Sequence, residues 1–192
     1  YKKEVKIGVV GKYFATGDYI LSDVYISVIE ALKHAAWANR SKPTLHWLNA
    51  EDYEKEPKKL RELKKFDGIL VPGGFGTRGV EGIISAIEYA RHHGIPFLGI
   101  CYGMQLAVCE FARHVVGLKG AHTTEVDALT AYPVIHVMPA QEKLLLSQEY
   151  GGTMRLGAYA CKLEPKSISG KSYGQIEVAE RHRHRYEFNN EY

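Results

Sequence analysis

Hydrophobic positions along this chain change their period several times. Four short apolar runs have the length and β-branched content of strands: Val5 to Val10, Thr44 to Leu48, Gly68 to Val71 and Phe97 to Ile100. The last two are apolar throughout, so Phe97 to Ile100 is expected to be buried on both faces. Helical spacing fills the gaps. Tyr25, Val28, Ile29, Leu32, Ala35 and Ala36 share one face of a segment that Ser22 or Asp23 can cap and that runs to about Asn39. Residues 51–65 are highly charged, with Leu60 and Leu63 as apolar anchors, and predict a surface helix. Val80, Ile83, Ile84, Ile87 and Ala90 form a stripe over Val80 to His92, closed by Gly94-Ile-Pro. Leu106, Val108, Cys109, Ala112 and Val115-Val116 continue helical spacing after the fourth run. Strand followed by helix four times over predicts an α/β fold with a mostly parallel central sheet flanked by helices. Beyond Gly117 the pattern breaks up. Pro133 to Met138 reads as one more strand, and the later stretches are short, polar and rich in Gly, Tyr and His, which predicts an antiparallel edge or a lid.

Composition narrows the class. A chain of 192 residues, 45% apolar and 24% charged, suits one domain with a full core. With 25 basic against 22 acidic residues, the net charge of +3 argues against nucleic acid or an anionic membrane as a partner. No apolar run reaches the length of a membrane span, and Tyr-Lys-Lys-Glu-Val at the start has no signal-peptide core. Cys101, Cys109 and Cys161 are odd in number and lack metal-ligand spacing, so no metal site is expected and a reducing, cytoplasmic setting fits.

The chemistry concentrates at the ends of the third and fourth runs. Gly99 and Gly103 flank Cys101 symmetrically, between an apolar run and a helical pattern. A cysteine at a strand–helix turn with glycines on both sides is a nucleophile elbow. A helix N-terminus there favours thiolate and offers N–H groups to an oxyanion. The bland alternative is a buried structural cysteine. The loop Val71-Pro-Gly-Gly-Phe-Gly-Thr-Arg-Gly79 has four glycines in seven positions. It reads as a phosphate cradle without either standard spacing, as half of an oxyanion hole facing Cys101, or as a plain turn. Arg181-His-Arg-His-Arg185 would place arginines on one strand face and histidines on the other. It could serve phosphate or nucleic acid, or a small-molecule site bordering a partner.

Taken together, Pro72-Gly-Gly-Phe-Gly76 and Gly99-Ile-Cys-Tyr-Gly-Met-Gln105 resemble the class I (triad) glutamine amidotransferases. Arg78-Gly-Val-Glu-Gly82, Gly151-Gly-Thr-Met-Arg-Leu-Gly157 and Glu180 to Glu187 narrow the resemblance to the amidotransferase domain of the CTP synthase family, over nearly the whole chain from Lys6 to Asn190. The resemblance implies a class I amidotransferase fold of flavodoxin-like layering. It implies that Cys101 attacks the glutamine side-chain amide and forms a glutamyl thioester. It makes Gly74 and Tyr102 the backbone donors to the oxyanion. It places Gly103, Met104, Gln105 and Glu125 around the substrate, and gives Arg185 the substrate carboxylate. It ties the segment around Arg155 to activation by GTP. No cofactor is implied in this domain; ATP, Mg2+ and GTP belong to the full enzyme. The implied partners are L-glutamine and the synthetase domain that precedes this one, in a homo-oligomer.

One motif of the family is missing. Its base and orienting acid stand in a late His-Pro-Glu, which does not occur in this sequence, and none of the nine histidines takes that role. The chain is therefore expected to lack its C-terminal end. The alternatives are another class I amidotransferase, which the Gly151 to Gly157 and Arg181 to Arg185 motifs oppose, or a non-catalytic module that binds glutamine or a partner.

Overall fold

Val9 and Val10 are adjacent, and both are fully buried. From Gly8 onward their strand is buried on both faces, which is why its end runs apolar, whereas Lys3, Glu4 and Lys6 nearer its start are exposed. A computed structural model of the chain describes residues 3–12, 25–137 and 155–192. They fall into two units, Tyr1–His136 with Phe188–Tyr192, and Val137–Glu187.

In the first unit, β1 (Lys3–Gly11), β2 (Ser41–Asn49), β3 (Gly68–Val71) and β4 (Phe97–Gly99) make one parallel sheet in the order β2-β1-β3-β4. The strand order reverses between β1 and β3. Loops leaving these two strands diverge there and open a crevice beyond the carboxyl ends. Gly11-Lys12 and the Pro72 loop lie at that crevice, and Cys101 follows the neighbouring strand β4.

Helix α1 (Ile26–Ala38) covers one face. Tyr25 joins Val9 and Leu70 in a buried cluster, with Ile7, Val28, Leu32 and Trp47 packed on it. Burial of each large apolar side chain of this kind contributes about 1.5–3 kcal/mol. Ser22 and Asp23, the expected caps, lie outside the described residues. Val71, directed oppositely to Leu70, meets α4 (Tyr102–Phe111). Helix α3 (Val80–His92) buries Val80, Ile83, Ile84, Ile87 and Ala90, the stripe its spacing predicts. It is tied to α4 by Arg91, whose Nε lies 3.1 Å from both Glu110 oxygens and whose Nη2 donates to Oε1 at 2.7 Å. Glu110 is 1% exposed.

Three expectations are corrected. Residues 51–65 are not one helix: α2 (Ala50–Lys55) stops, and Pro57–Lys65 forms a 3-10 segment that buries Leu63. Pro57 has no N–H for the helical ladder and its ring obstructs the preceding turn, so it starts a new segment instead of continuing α2. Strand β4 is an edge of the described sheet, with Leu98 55% and Ile100 37% exposed, because no described strand covers its outer side. Helix α4 gives way to a π-helical turn, Ala112–Val116, ended by Gly117 at φ 85°. Five-residue spacing rotates Val115 and Val116 off the buried face, and both are exposed.

After α4 come β5 (His122–Thr123) and β6 (Pro133–Val137), a parallel pair. In the second unit, β7 (Arg155–Lys162) runs antiparallel to β8 (Glu177–His184), with α5 (Ile168–Tyr173) between them. The expected antiparallel pairing is present, but as a two-stranded sheet of its own and not as an edge of the parallel sheet. Along β8, Arg181 and Arg183 are exposed while His182 and His184 are half-buried, the alternation the motif predicts. The chain rejoins the first unit, where Asn189 N–H donates to Val134 O at 2.9 Å. Among the described residues no helix is long and apolar enough to cross a membrane.

Candidate active site

Two glycines make the turn around Cys101 possible. A Cβ on Gly99 would lie 2.6 Å from the carbonyl of Gly103 and from Met104 N, and a Cβ on Gly103 would land on the Val71 carbonyl. Strand β4 and helix α4 therefore approach at backbone distance. Ile100 N–H donates to Val71 O at 2.9 Å, and Gly103 N–H to Ile100 O at 3.0 Å. Between them Cys101 is held at φ 51°, ψ −105°, a conformation that L-residues rarely adopt. The elbow read from Gly-x-Cys-x-Gly is thus present in the backbone.

Its electrostatics differ from the expectation. Burial pushes the Cys101 thiol up and outweighs the Tyr102 N–H beside the sulfur, which pulls it down; the Glu125 carboxylate adds a smaller upward push. The helix N-terminus does not by itself make a thiolate here. Proton removal needs a base.

Facing the thiol is the glycine loop. A Cβ on Gly73 would sit 3.7 Å from Cys101 Cβ, so the loop and Cys101 are neighbours. The next turn of that loop is held at Gly76. Its carbonyl accepts from Lys12 Nζ at 2.8 Å and from the Tyr102 hydroxyl at 2.5 Å. Its N–H donates to Glu125 Oε1 at 2.7 Å. Glu125 stands in the turn after β5, where its own N–H donates to Thr123 Oγ1 at 3.2 Å. Lys12 is 4% exposed and lies 4.8 Å from the centre of the Tyr102 ring. Burial lowers its pKa to about 8, Glu125 opposes that shift, and Arg78 adds to it. Arg78 donates to Lys12 O at 2.7 Å and pairs with Glu51 at 2.6 Å. A small cleft is lined by Val10, Lys12, Tyr25, Gly73, Gly74 and Tyr102.

The structure thus brings Cys101, Gly74, Tyr102, Gly103, Met104, Gln105 and Glu125 into one unit. Tyr102 and Gln105 are buried, at 1% and 4%, and Met104 is exposed. Arg185 lies in the second unit, half-buried just past β8. Arg155, also of that unit, binds Glu187 at 3.0 Å and stacks over the Tyr159 ring at 3.9 Å. His122 is occupied: its Nδ1 accepts from Thr123 N–H at 2.9 Å and its Nε2 is 3.6 Å from Glu81. Sequence reasoning placed Gly76 only within the glycine loop, without its partners, and missed Lys12. The available signal was a lysine directly after an apolar strand that ends at the ligand edge of the sheet.

The glutamine amidotransferase class-I family model matches residues 20–192. CTP synthase of Thermococcus gammatolerans is 53% identical over 190 residues, covering 99% of this chain and 34% of that protein. CTP synthase of Geobacillus kaustophilus gives the same identity and coverage, 53%, 99% and 34%. The chain spans about a third of the length of these curated relatives. Among solved structures, the Trypanosoma brucei CTPS glutaminase domain with bound acivicin superimposes with a TM-score of 0.84 at 36% identity, over 96% of this chain and 68% of that one.

Proposed function

Because the chain belongs to the class I glutamine amidotransferases, in the group that forms the glutaminase domain of CTP synthases, we propose that it hydrolyses L-glutamine through Cys101 and supplies the ammonia for amination of UTP to CTP. The observation that carries this reading is the elbow itself. Cys101 stands in left-handed backbone at the start of α4, with the Gly73-Gly74 loop against its side chain.

The chemistry follows from that placement. The Cys101 sulfur, once deprotonated, attacks the side-chain carbonyl carbon of glutamine. The oxygen takes the negative charge and is held by the N–H groups of Gly74 and Tyr102. The C–N bond then breaks, the nitrogen leaves as ammonia with a proton delivered to it, and a glutamyl thioester remains. Water cleaves the thioester to glutamate and returns the thiol. Glu125 has one oxygen engaged by Gly76 N–H, and its charge suits the substrate's ammonium group. A general base takes the thiol proton as the sulfur attacks. Ammonia passes to a synthetase domain, which uses ATP with Mg2+ to activate UTP, with GTP as activator. A cytoplasmic, oligomeric enzyme fits this role.

The test is made on the full-length protein. With ATP and UTP, CTP should form from either glutamine or ammonium. Cys101→Ser should abolish glutamine-dependent CTP formation and leave the ammonium-dependent reaction within two-fold. Retention of glutamine-dependent synthesis would remove Cys101 from the mechanism.

A further inference from the structure

Lys12 is a buried cation that the proposed chemistry does not use. It follows β1, on the far side of β3 from the nucleophile's own strand. Removing an ammonium from water is costly unless its protons are well used. Here the ammonium donates to the Gly76 carbonyl at 2.8 Å, on the glycine loop that abuts Cys101.

A run of glycines has many backbone states, and a flipped peptide turns an N–H donor into a carbonyl. Gly76 is the place where this freedom is removed. Its carbonyl is held by two donors, Lys12 and Tyr102, and its N–H by one acceptor, Glu125. Both peptide planes flanking Gly76 are therefore oriented, two residues from the Gly74 N–H. A methionine would fill the same space at less desolvation cost, but it could not orient the carbonyl.

We infer that Lys12 is a positioning residue of the glutamine site: its ammonium holds the Gly76 carbonyl and thereby keeps the Gly73-Gly74 backbone in the orientation that receives the oxyanion beside Cys101. The inference rests on the glutaminase reading above. It assigns Lys12 an effect on the transition state, where the oxyanion forms, with little effect on ground-state binding of glutamine.

The experiment compares wild type, Lys12→Met and Lys12→Gln in the full-length protein, measuring glutamine hydrolysis and, separately, alkylation of Cys101 by iodoacetamide. Alkylation forms no oxyanion, so it reports the thiol without the loop. Loss of one oxyanion donor lowers turnover about 100- to 1000-fold, and a misplaced donor less. Lys12→Met should lower kcat about 10- to 100-fold, with KM within three-fold and the alkylation rate within two-fold of wild type. Lys12→Gln, which keeps a donor on a shorter arm, should show the same split with a smaller loss, and it carries the test if the methionine variant does not fold. An unchanged kcat overturns the inference. So does a raised KM at constant kcat, which would make Lys12 a substrate ligand. Parallel loss of turnover and alkylation would reduce Lys12 to a structural part. A wild-type protein that does not hydrolyse glutamine would instead overturn the glutaminase reading, and this inference with it.

Discussion

The Tyr102 hydroxyl donates to the Gly76 carbonyl at 2.5 Å, linking the residue after Cys101 to the loop that faces it. Tyr102 also carries the N–H beside the Cys101 sulfur. Tyr102→Phe keeps the buried ring and removes only the donor. A net hydrogen bond of about 1 kcal/mol corresponds to roughly five-fold in rate. Steady-state glutamine hydrolysis of the full-length protein should show kcat reduced by about that factor, at nearly constant KM.

The elbow glycines have no room for a methyl group. Gly103→Ala would drive a Cβ into the Val71 carbonyl, and Gly99→Ala would drive one to 2.6 Å from Gly103. Each should destabilise the fold by about 3 kcal/mol or more, at the upper end for overpacking because the obstacle is backbone. Gly94→Ala meets nothing within 4 Å and suffers only from its φ of 64°. It should cost about 1 kcal/mol. Urea midpoints of the three variants should rank accordingly, and equal midpoints would contradict the close approach of β4 and α4.

Cys101 should titrate late. An ordinary cysteine loses its proton near pH 8.5. Burial stabilises the neutral thiol, so half-maximal alkylation of Cys101 in this chain should lie above that pH. The sign follows for stability too. A thiol whose folded pKa exceeds its unfolded pKa favours the folded state progressively less as pH rises between the two. A pH profile of iodoacetamide labelling, read by mass spectrometry at Cys101, checks this. A midpoint below 8 would mean that a nearby positive charge dominates.

Arg91 and Glu110 should matter to stability and not to turnover. The Glu110 side chain is 2% exposed and Arg91 is 31% exposed. Arg91→Met would leave a buried carboxylate with less compensation. His114 Nδ1, 3.2 Å from Glu110 Oε1, provides part of it. The expected loss is about 2–3 kcal/mol, below the full cost of orphaning a buried charge. The double variant with Glu110→Leu should recover most of it in thermal or urea unfolding.

What could be read in the sequence was local. Gly-x-Cys-x-Gly between an apolar run and a helical pattern specifies an elbow within a few residues, and the four strand–helix repeats specify the sheet. The Val80 to His92 stripe carries its own helix period. The Gly76 junction was not legible, because Lys12 and Glu125 reach it across 64 and 49 positions of chain. No period or motif connects a lysine at one strand end with a carbonyl at another. The exposure of Leu98 was hidden for a similar reason, since an apolar run reports that a strand belongs in a core but not which neighbour covers it. Val115 and Val116 were misplaced because spacing arguments assume an α-helical turn throughout, and a π turn shifts every residue after it.

The left-handed backbone at Cys101 also sets the course of any copy of this domain released from catalysis. At φ 51° every side chain with a Cβ is disfavoured, so serine or alanine at this position inherits the same strain. Glycine alone relieves it, by about 1 kcal/mol. A duplicate that kept glutamine binding and lost hydrolysis would gain robustness by drifting to glycine at position 101. Cys101 is therefore held against the folding preference of its own backbone, and the proposed thioester chemistry would give a cysteine its reason to remain there.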